Sequence, residues 1–306
     1  MLVTGASGFI GRHLAPILEG AGWTVRRALR TPLVTPDDVC VESIGAGTDW
    51  KDALVGVDAV VHLAARVHHQ KDELSVELYR NINVEGTLHL ARCAANAGVR
   101  QFIFVSTVLV HGRTNDGRAP FSEGNILTPS GVYGMSKAAA ESGLKGVAQE
   151  SDMSVTVIRP PLVYGAGAKG NFKLLTLAVK RGIPLPFGSI NNRRAFLAVE
   201  NLCSFILERL ARAERGFDVF LVADDEQVST PEFIRRLAAA VGIAPRVLPA
   251  PILLLSALLK ISGRPEARDS IIGSLELDVS KAADTGWRPQ VTLDEGLRLA
   301  TVDPDG

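Results

Sequence analysis

The sequence predicts an α/β protein: a doubly wound parallel sheet with a smaller, interleaved C-terminal lobe. Two observations carry this. Short apolar runs alternate with helical patterns through the first half, as repeated βαβ units require when helices cover both faces of a parallel sheet. Past Tyr164 the texture changes to loops bearing Gly and Pro, at residues 165–170 and in Pro184-Leu185-Pro186-Phe187-Gly188.

Taken in order, strands are expected over residues 1–4, 24–29, 58–63, 101–106 and 154–159, and helices over 11–20, 50–54, 84–97 and 136–149. A helix over 172–181 belongs to the second lobe. A helix over 201–212 and a strand over 217–223 return to the sheet. The first domain is therefore expected at residues 1–165 with a returning segment at about 195–223, and the second lobe at 166–194 and 224–306.

Composition removes several classes of function. A chain of 306 residues that is 46% hydrophobic can bury one large core or two modest ones. Lys and Arg number 33, as do Asp and Glu, and this zero balance favours neither nucleic acid nor an anionic membrane as partner. Cys40, Cys93 and Cys203 match neither a disulfide framework nor a zinc spacing, and are expected to be buried structural thiols in a reducing compartment. Met1 leads directly into a strand without a cationic leader, so a cytoplasmic protein is expected. Residues 251–259 are apolar but fall well short of the roughly 20 residues of a membrane span, so a buried helix is expected there and no membrane insertion. His68 and His69 stand in a polar loop with no further ligand at metal spacing, and no metal site is expected.

The opening strand runs into Gly5-Ala6-Ser7-Gly8-Phe9-Ile10-Gly11 and then a helix. Glycine permits the tight turn and close backbone approach, while the free amides and the positive end of the helix dipole attract a pyrophosphate. A dinucleotide is the expected guest. Where NAD-binding sheets place an acidic residue for the ribose, this chain has Leu29, flanked by Arg27 and Arg30. An arginine there pairs with a 2′-phosphate, so NADP(H) is expected ahead of NAD(H). Asp49, followed by Trp50, either caps the short helix after it or receives the adenine amino group.

Tyr133 and Lys137 stand four apart at a helix start, on one face. A nearby ammonium and a bound nicotinamide cation are expected to bring the phenol into working range for proton transfer at a hydroxyl. Thr107 follows the strand ending in Val105 and Ser106, at the carboxyl edge of the sheet where such folds bind ligands.

These motifs, with His62-Leu63-Ala64-Ala65, Asn83-Val84-Glu85-Gly86-Thr87, Val110-His111-Gly112 and Arg159-Pro160-Pro161, resemble an extended short-chain dehydrogenase/reductase with a Rossmann sheet, of the NAD-dependent epimerase/dehydratase family. The resemblance implies a nucleotide-sugar substrate, UDP- or dTDP-linked, and a catalytic triad of Thr107, Tyr133 and Lys137. It implies that Leu63, Ala64, Ala65, Asn83, Val105 and Pro160 line the cofactor and that Lys137 holds the nicotinamide ribose. In the second lobe Asn171, Arg194 and Arg268 are implied substrate contacts, and His111 stands in a substrate-facing loop. A homodimer through the helices after Asn83 and Tyr133 is implied as well.

Departures from the family pattern guide the choice of reaction. Thr107 is followed by Val108-Leu109 where dehydratases place an Asp-Glu pair, so dehydration is disfavoured. His111 and Arg194-Ala195-Phe196 differ from the usual epimerase residues, and the carboxylate after the second strand is missing. The first expectation is therefore a reductase of a 4-keto hexose, the alternative a UDP-hexose 4-epimerase with bound NAD, and a non-catalytic dinucleotide sensor comes third.

Overall fold

A computed structural model describes residues 1–30, 35–67, 76–212, 214–261 and 265–302. His68 and His69 lie outside these described residues. The chain forms two compact units: Met1–Gly112, Ile126–Pro160 and Cys203–Leu221 make the first, and Arg113–Asn125, Pro161–Leu202 and Val222–Gly306 the second.

The first unit contains β1 (Leu2–Thr4), α1 (Phe9–Gly20), β2 (Arg26–Leu29), β3 (Val39–Cys40), α2 (Lys51–Leu54), β4 (Ala59–His62), α3 (Val76–Tyr79), α4 (Thr87–Asn96), β5 (Gln101–Val105), α5 (Gly131–Gln149) and β6 (Ser154–Arg159). In the second lie β7 (Leu162–Tyr164), α6 (Asn171–Lys180) and β8 (Phe196–Ala198). Helix α7 (Val199–Ala211) starts in the second unit, ends in the first and leads to β9 (Phe217–Leu221). The second unit continues with α8 (Thr230–Val241), α9 (Ile252–Ile261), α10 (Pro265–Ile271), α11 (Ser280–Asp284) and α12 (Leu293–Thr301).

All strand pairs of the seven-stranded sheet are parallel, in the order β3-β2-β1-β4-β5-β6-β9. Strands β4, β5 and β6 are buried at every position, which is why β4 and β5 read as nearly unbroken apolar runs rather than alternations. Helices α2, α4 and α5 pack Leu54, Leu90, Ala94, Ala140 and Leu144 with Val60, Phe102, Phe104 and Val155 into one core. The strand order reverses at β1, and the crevice beyond the carboxyl ends at such a switch point is where open α/β sheets bind ligands.

The second unit has its own centre. Phe196 stacks on Phe233 at 4.0 Å, and Tyr164 meets Phe233 edge-on at 5.7 Å. The Tyr164 hydroxyl donates to Asp224 Oδ2 (2.8 Å), while Asn201 Nδ2 and the Ala198 amide donate to Asp224 Oδ1 (2.7 and 3.0 Å). Burial pushes the Asp224 carboxyl up, and these donors oppose it.

Several expectations are corrected here. The helix expected from residue 84 opens instead as a wide π-helical turn over Arg80–Gly86 before α4, and α5 begins at Gly131 rather than 136. Strands β3, β7 and β8, of two or three residues, are too short to show periodicity and were not foreseen. Only Cys203 of the three thiols is buried; Cys40 is exposed because β3 is the outermost strand of the sheet. Helix α9 is not buried: Leu253 is 86% and Leu254 58% exposed, since a helix that is apolar all round has more greasy surface than one packed face can cover. Among the described residues no helix is long and apolar enough to cross a membrane.

Candidate active site

The glycine loop is held by close backbone approaches that only glycine permits. Gly5 adopts φ +70°, and a Cβ there would meet the Ala64 amide nitrogen at 2.8 Å. A Cβ on Gly11 would come within 2.4 Å of the Gly5 carbonyl oxygen. The Gly8 amide donates to that same carbonyl (2.9 Å), closing the turn. Ser7 and Gly8 are exposed, Phe9 and Ile10 partly buried, and no side chain caps the first turn of α1. Uncapped amides at a helix start beside a bare backbone loop fit the pyrophosphate of a dinucleotide.

Leu63, Ala64 and Ala65 follow β4 beside this cradle, all partly buried. They are anchored by His62, a residue to which sequence reasoning gave no role of its own. Its ring is fully buried, hydrogen-bonded through Nδ1 to Thr4 Oγ1 (2.7 Å) and through Nε2 to Thr87 Oγ1 (2.9 Å), and Thr4 Oγ1 also accepts from the Ala64 amide (3.3 Å). Burial, with Lys137 adding repulsion, holds this imidazole down at about 3.

Asn83 sits inside the π-helical turn, a form of helix that recurs at functional sites. Its Oδ1 accepts from the Arg66 amide (2.8 Å), and its Nδ2 donates to the Arg66 carbonyl (3.0 Å) and to Ser136 Oγ (3.0 Å). The amide thus ties the loop after β4 to α5. Ser136 in turn donates to the Tyr133 carbonyl (2.8 Å).

Tyr133 and Lys137 stand in the first two turns of α5. The Lys137 Nζ, on a residue only 1% exposed, donates to the Val105 carbonyl (2.9 Å) and lies 4.2 Å from the centre of the Phe104 ring and 6.0 Å from that of Tyr133. Burial lowers this ammonium to about 7, against the opposing pull of Glu141. In the protein without coenzyme, burial pushes the Tyr133 phenol up, with Tyr79 as a further cause, and the lysine faces the Val105 carbonyl and the Phe104 ring. Thr107 Oγ1 accepts from the Leu109 amide (3.2 Å) as the cap of a short 3₁₀ turn over Val108–Val110, and the Val108 amide donates to the Pro160 carbonyl (2.9 Å).

Other expected site residues are employed differently. Arg27 pairs with Glu19 of α1 and lies 4.0 Å from Asp38, so it is tied to its own sheet layer, and Arg30 alone stands exposed at the carboxyl end of β2. Trp50 packs in the core at 1% exposure, and Asp49, one residue before the N-cap position of α2, accepts from the Lys51 amide (2.9 Å). His111 is 1% exposed and accepts from Arg159 Nη1 (3.0 Å), so its ring braces the first unit rather than facing a substrate. Arg194 Nη1 donates to the carbonyls of Asp269 (3.0 Å) and Gly273 (2.6 Å), holding a loop of the second unit, and burial lowers this guanidinium to about 10. Arg268 pairs with Asp269 (3.0 Å) and Asn171 is exposed at the first position of α6.

The two buried imidazoles make stability sensitive to acid. Burial holds His111 down at about 4, with Arg159 as a further cause, and His62 at about 3. Both values lie below that of an unfolded histidine, so the unfolded chain binds the extra protons. The stability is complete above about pH 6.5 and is lost as pH falls toward the folded values, at up to about 1.4 kcal/mol per pH unit for each ring. Urea unfolding at pH 7 and pH 5 should differ by about 2 kcal/mol on account of His62, and His62→Gln should remove that part of the difference. An unchanged pH dependence in the variant would contradict the assignment.

A parallel sheet with a glycine cradle at its switch point, and Tyr-x-x-x-Lys on a helix beside the end of a neighbouring strand, defines an extended short-chain dehydrogenase/reductase. The sequence pattern of the NAD dependent epimerase/dehydratase family matches residues 1–223, and the chain belongs to that family. A UDP-glucose 4-epimerase of Vibrio cholerae is 38% identical, the match covering 97% of this chain and 93% of the relative. A GDP-6-deoxy-D-mannose reductase of Pseudomonas aeruginosa is 28% identical over 99% of this chain and 96% of its own. Among solved structures, MoeE5 in complex with UDP-glucose and NAD superposes with a TM-score of 0.79 at 27% identity, covering 98% of this chain and 96% of that one. RMD from Pseudomonas aeruginosa complexed with NADPH gives a TM-score of 0.73 at 25% identity, over 98% and 97%.

Sequence reasoning passed over Glu141 and named Ser106 and Arg159 only as parts of motifs, and these three join His111 in one buried network. The signal of Glu141 was present: it repeats the Tyr133 and Lys137 spacing one turn further along α5, a second charge on the same face.

Proposed function

We propose that this protein is a UDP-hexose 4-epimerase that keeps NAD through its catalytic cycle. The observation that carries the reading is the 38% identity, over 97% of the chain, to the Vibrio cholerae UDP-glucose 4-epimerase. The 4-keto reductase expected first has weaker support, in the 28% identity to the GDP-6-deoxy-D-mannose reductase.

Gly5, Ser7, Gly8, Phe9, Ile10 and Gly11 would hold the coenzyme pyrophosphate, Leu63, Ala64, Ala65, Asn83, Val105 and Pro160 would line its path, and Lys137 would bind the nicotinamide ribose. When bound, the coenzyme supplies reversible hydride transfer at the hexose C4. Tyr133 takes the proton from the 4-hydroxyl oxygen during oxidation and returns it to that oxygen during reduction. The Thr107 hydroxyl hydrogen-bonds the same oxygen, and the Lys137 ammonium steadies the phenolate. In the second unit Asn171 and Arg268 are the proposed contacts of the diphosphate.

The test incubates purified protein with UDP-glucose and UDP-N-acetylglucosamine, separates the products, and follows the nicotinamide absorbance in parallel. Interconversion of 4-epimers without net coenzyme consumption is expected. Stoichiometric oxidation of added NADPH by a 4-keto-6-deoxyhexose nucleotide, with no epimer formed, would replace the reading with the reductase.

Coenzyme choice separates the two arginines of β2. Arg30→Ala should weaken NADP binding about tenfold and leave NAD binding unaltered, because only a 2′-phosphate offers the guanidinium a partner. Arg27→Ala should alter neither affinity and cost about 1 kcal/mol or less of stability, the usual worth of a partly exposed ion pair. Titration of each variant with both coenzymes reads this out, and a loss of NADP affinity in Arg27→Ala would reverse the assignment.

A further inference from the structure

Beneath the reactive groups lies a buried charge pair that no step above uses. Glu141 and Arg159 are 3% and 5% exposed. Arg159 Nε donates to both carboxylate oxygens of Glu141 (3.2 and 3.1 Å), and Nη2 donates to Oε2 (2.6 Å). Apolar replacements for such a pair are often neutral or stabilising, so its presence calls for an explanation other than stability.

Its partners supply one. Ser106 Oγ donates to Glu141 Oε1, and Arg159 Nη1 donates to His111 Nε2 (3.0 Å). Ser106 immediately precedes Thr107, and His111 closes the 3₁₀ turn that Thr107 caps. Val105, the residue before Ser106, accepts from Lys137 Nζ (2.9 Å), and Glu141 is one helical turn beyond that lysine on α5. We propose that Glu141 and Arg159 are positioning residues: a single ion pair pins both ends of the turn that carries Thr107, and holds it in register with Lys137. The proposal rests on the epimerase reading for what Thr107 and Lys137 do, and on geometry alone for what holds them.

The groups facing Lys137 are Tyr133 and Glu141 on its own helix, His62 on β4 and the Val105 carbonyl and Phe104 ring on β5, with Arg159 on β6 acting through Glu141. Glu141 is the anion of this set. Its removal should make the ammonium easier to deprotonate.

Glu141→Gln keeps the volume and removes the charge. In the full-length variant kcat for UDP-hexose interconversion should fall about 10²-fold with KM little changed, as misplacement of a reacting group by about 1 Å costs. Independently of substrate, the Lys137 titration followed by NMR on ¹³Cε-labelled lysine should move down by about one pH unit. A folded variant with either readout at its wild-type value overturns the proposal. Should Glu141→Gln fail to fold, the double variant Glu141→Leu/Arg159→Met leaves no orphan charge and should fold with the same loss of kcat; if that too is unfolded, the pair serves stability and the proposal falls. If the unaltered protein turns over no UDP-hexose, the functional reading fails on its own and the Lys137 titration alone decides the positioning role.

Discussion

Tyr133→Phe is expected to lower turnover by about 10²- to 10⁴-fold, the range for loss of a positioned acid or base. The substitution removes one oxygen and keeps the ring, so packing on α5 is preserved and the melting temperature should stay close to that of the unaltered chain. Epimer interconversion by the two proteins, measured beside thermal unfolding, separates chemistry from folding. The direction of the phenol's environment sharpens the expectation. Burial and Tyr79 push its titration up, so the charges that lower it belong to the assembled site, and a phenylalanine there has no proton to exchange. A variant that retained full turnover would remove Tyr133 from the mechanism.

Gly11→Ala is expected to be nearly as damaging, by a different route. The added methyl would sit 2.4 Å from the Gly5 carbonyl oxygen and 2.5 Å from the Ala6 Cα, both backbone atoms of the loop that closes the cradle. Neither can swing aside as a side-chain tip would. The start of α1 must move away from the loop, at about 1–3 kcal/mol for overpacking, and the amides lose their convergence on the pyrophosphate. Isothermal titration with NAD should show at least about tenfold weaker binding, together with a lower melting temperature. Gly20→Ala is the control, since a Cβ at that end of the same helix meets nothing within 4 Å. It should bind NAD as the unaltered protein does and gain up to about 1 kcal/mol from helix propensity. Equal NAD affinity in Gly11→Ala and Gly20→Ala would refute the cradle.

What was legible in advance followed from local pattern. Parallel strands such as β4 and β5 betray themselves because every side chain is buried, and the glycine loop because its spacing follows from backbone clearance. Tyr133 and Lys137 were visible because a helix turns 3.6 residues at a time, so a separation of four puts two groups on one face. The choice between reductase and epimerase was not legible in this way. It leaned on Leu29, Arg27 and Arg30, and of those arginines one is spent on Glu19 and Asp38.

By itself, then, the sequence determined six strands of the sheet, the glycine loop and the reactive pair, since each shows in residues within a turn or a strand of one another. Only tertiary structure decided which charged residues are free to act. Arg159 reaches Glu141 across 18 positions and His111 across 48, and Asn83 reaches Ser136 across 53. Side chains that meet over such separations leave no periodic trace in the chain, because their proximity is set by how strands are ordered in the sheet and by which helix covers them.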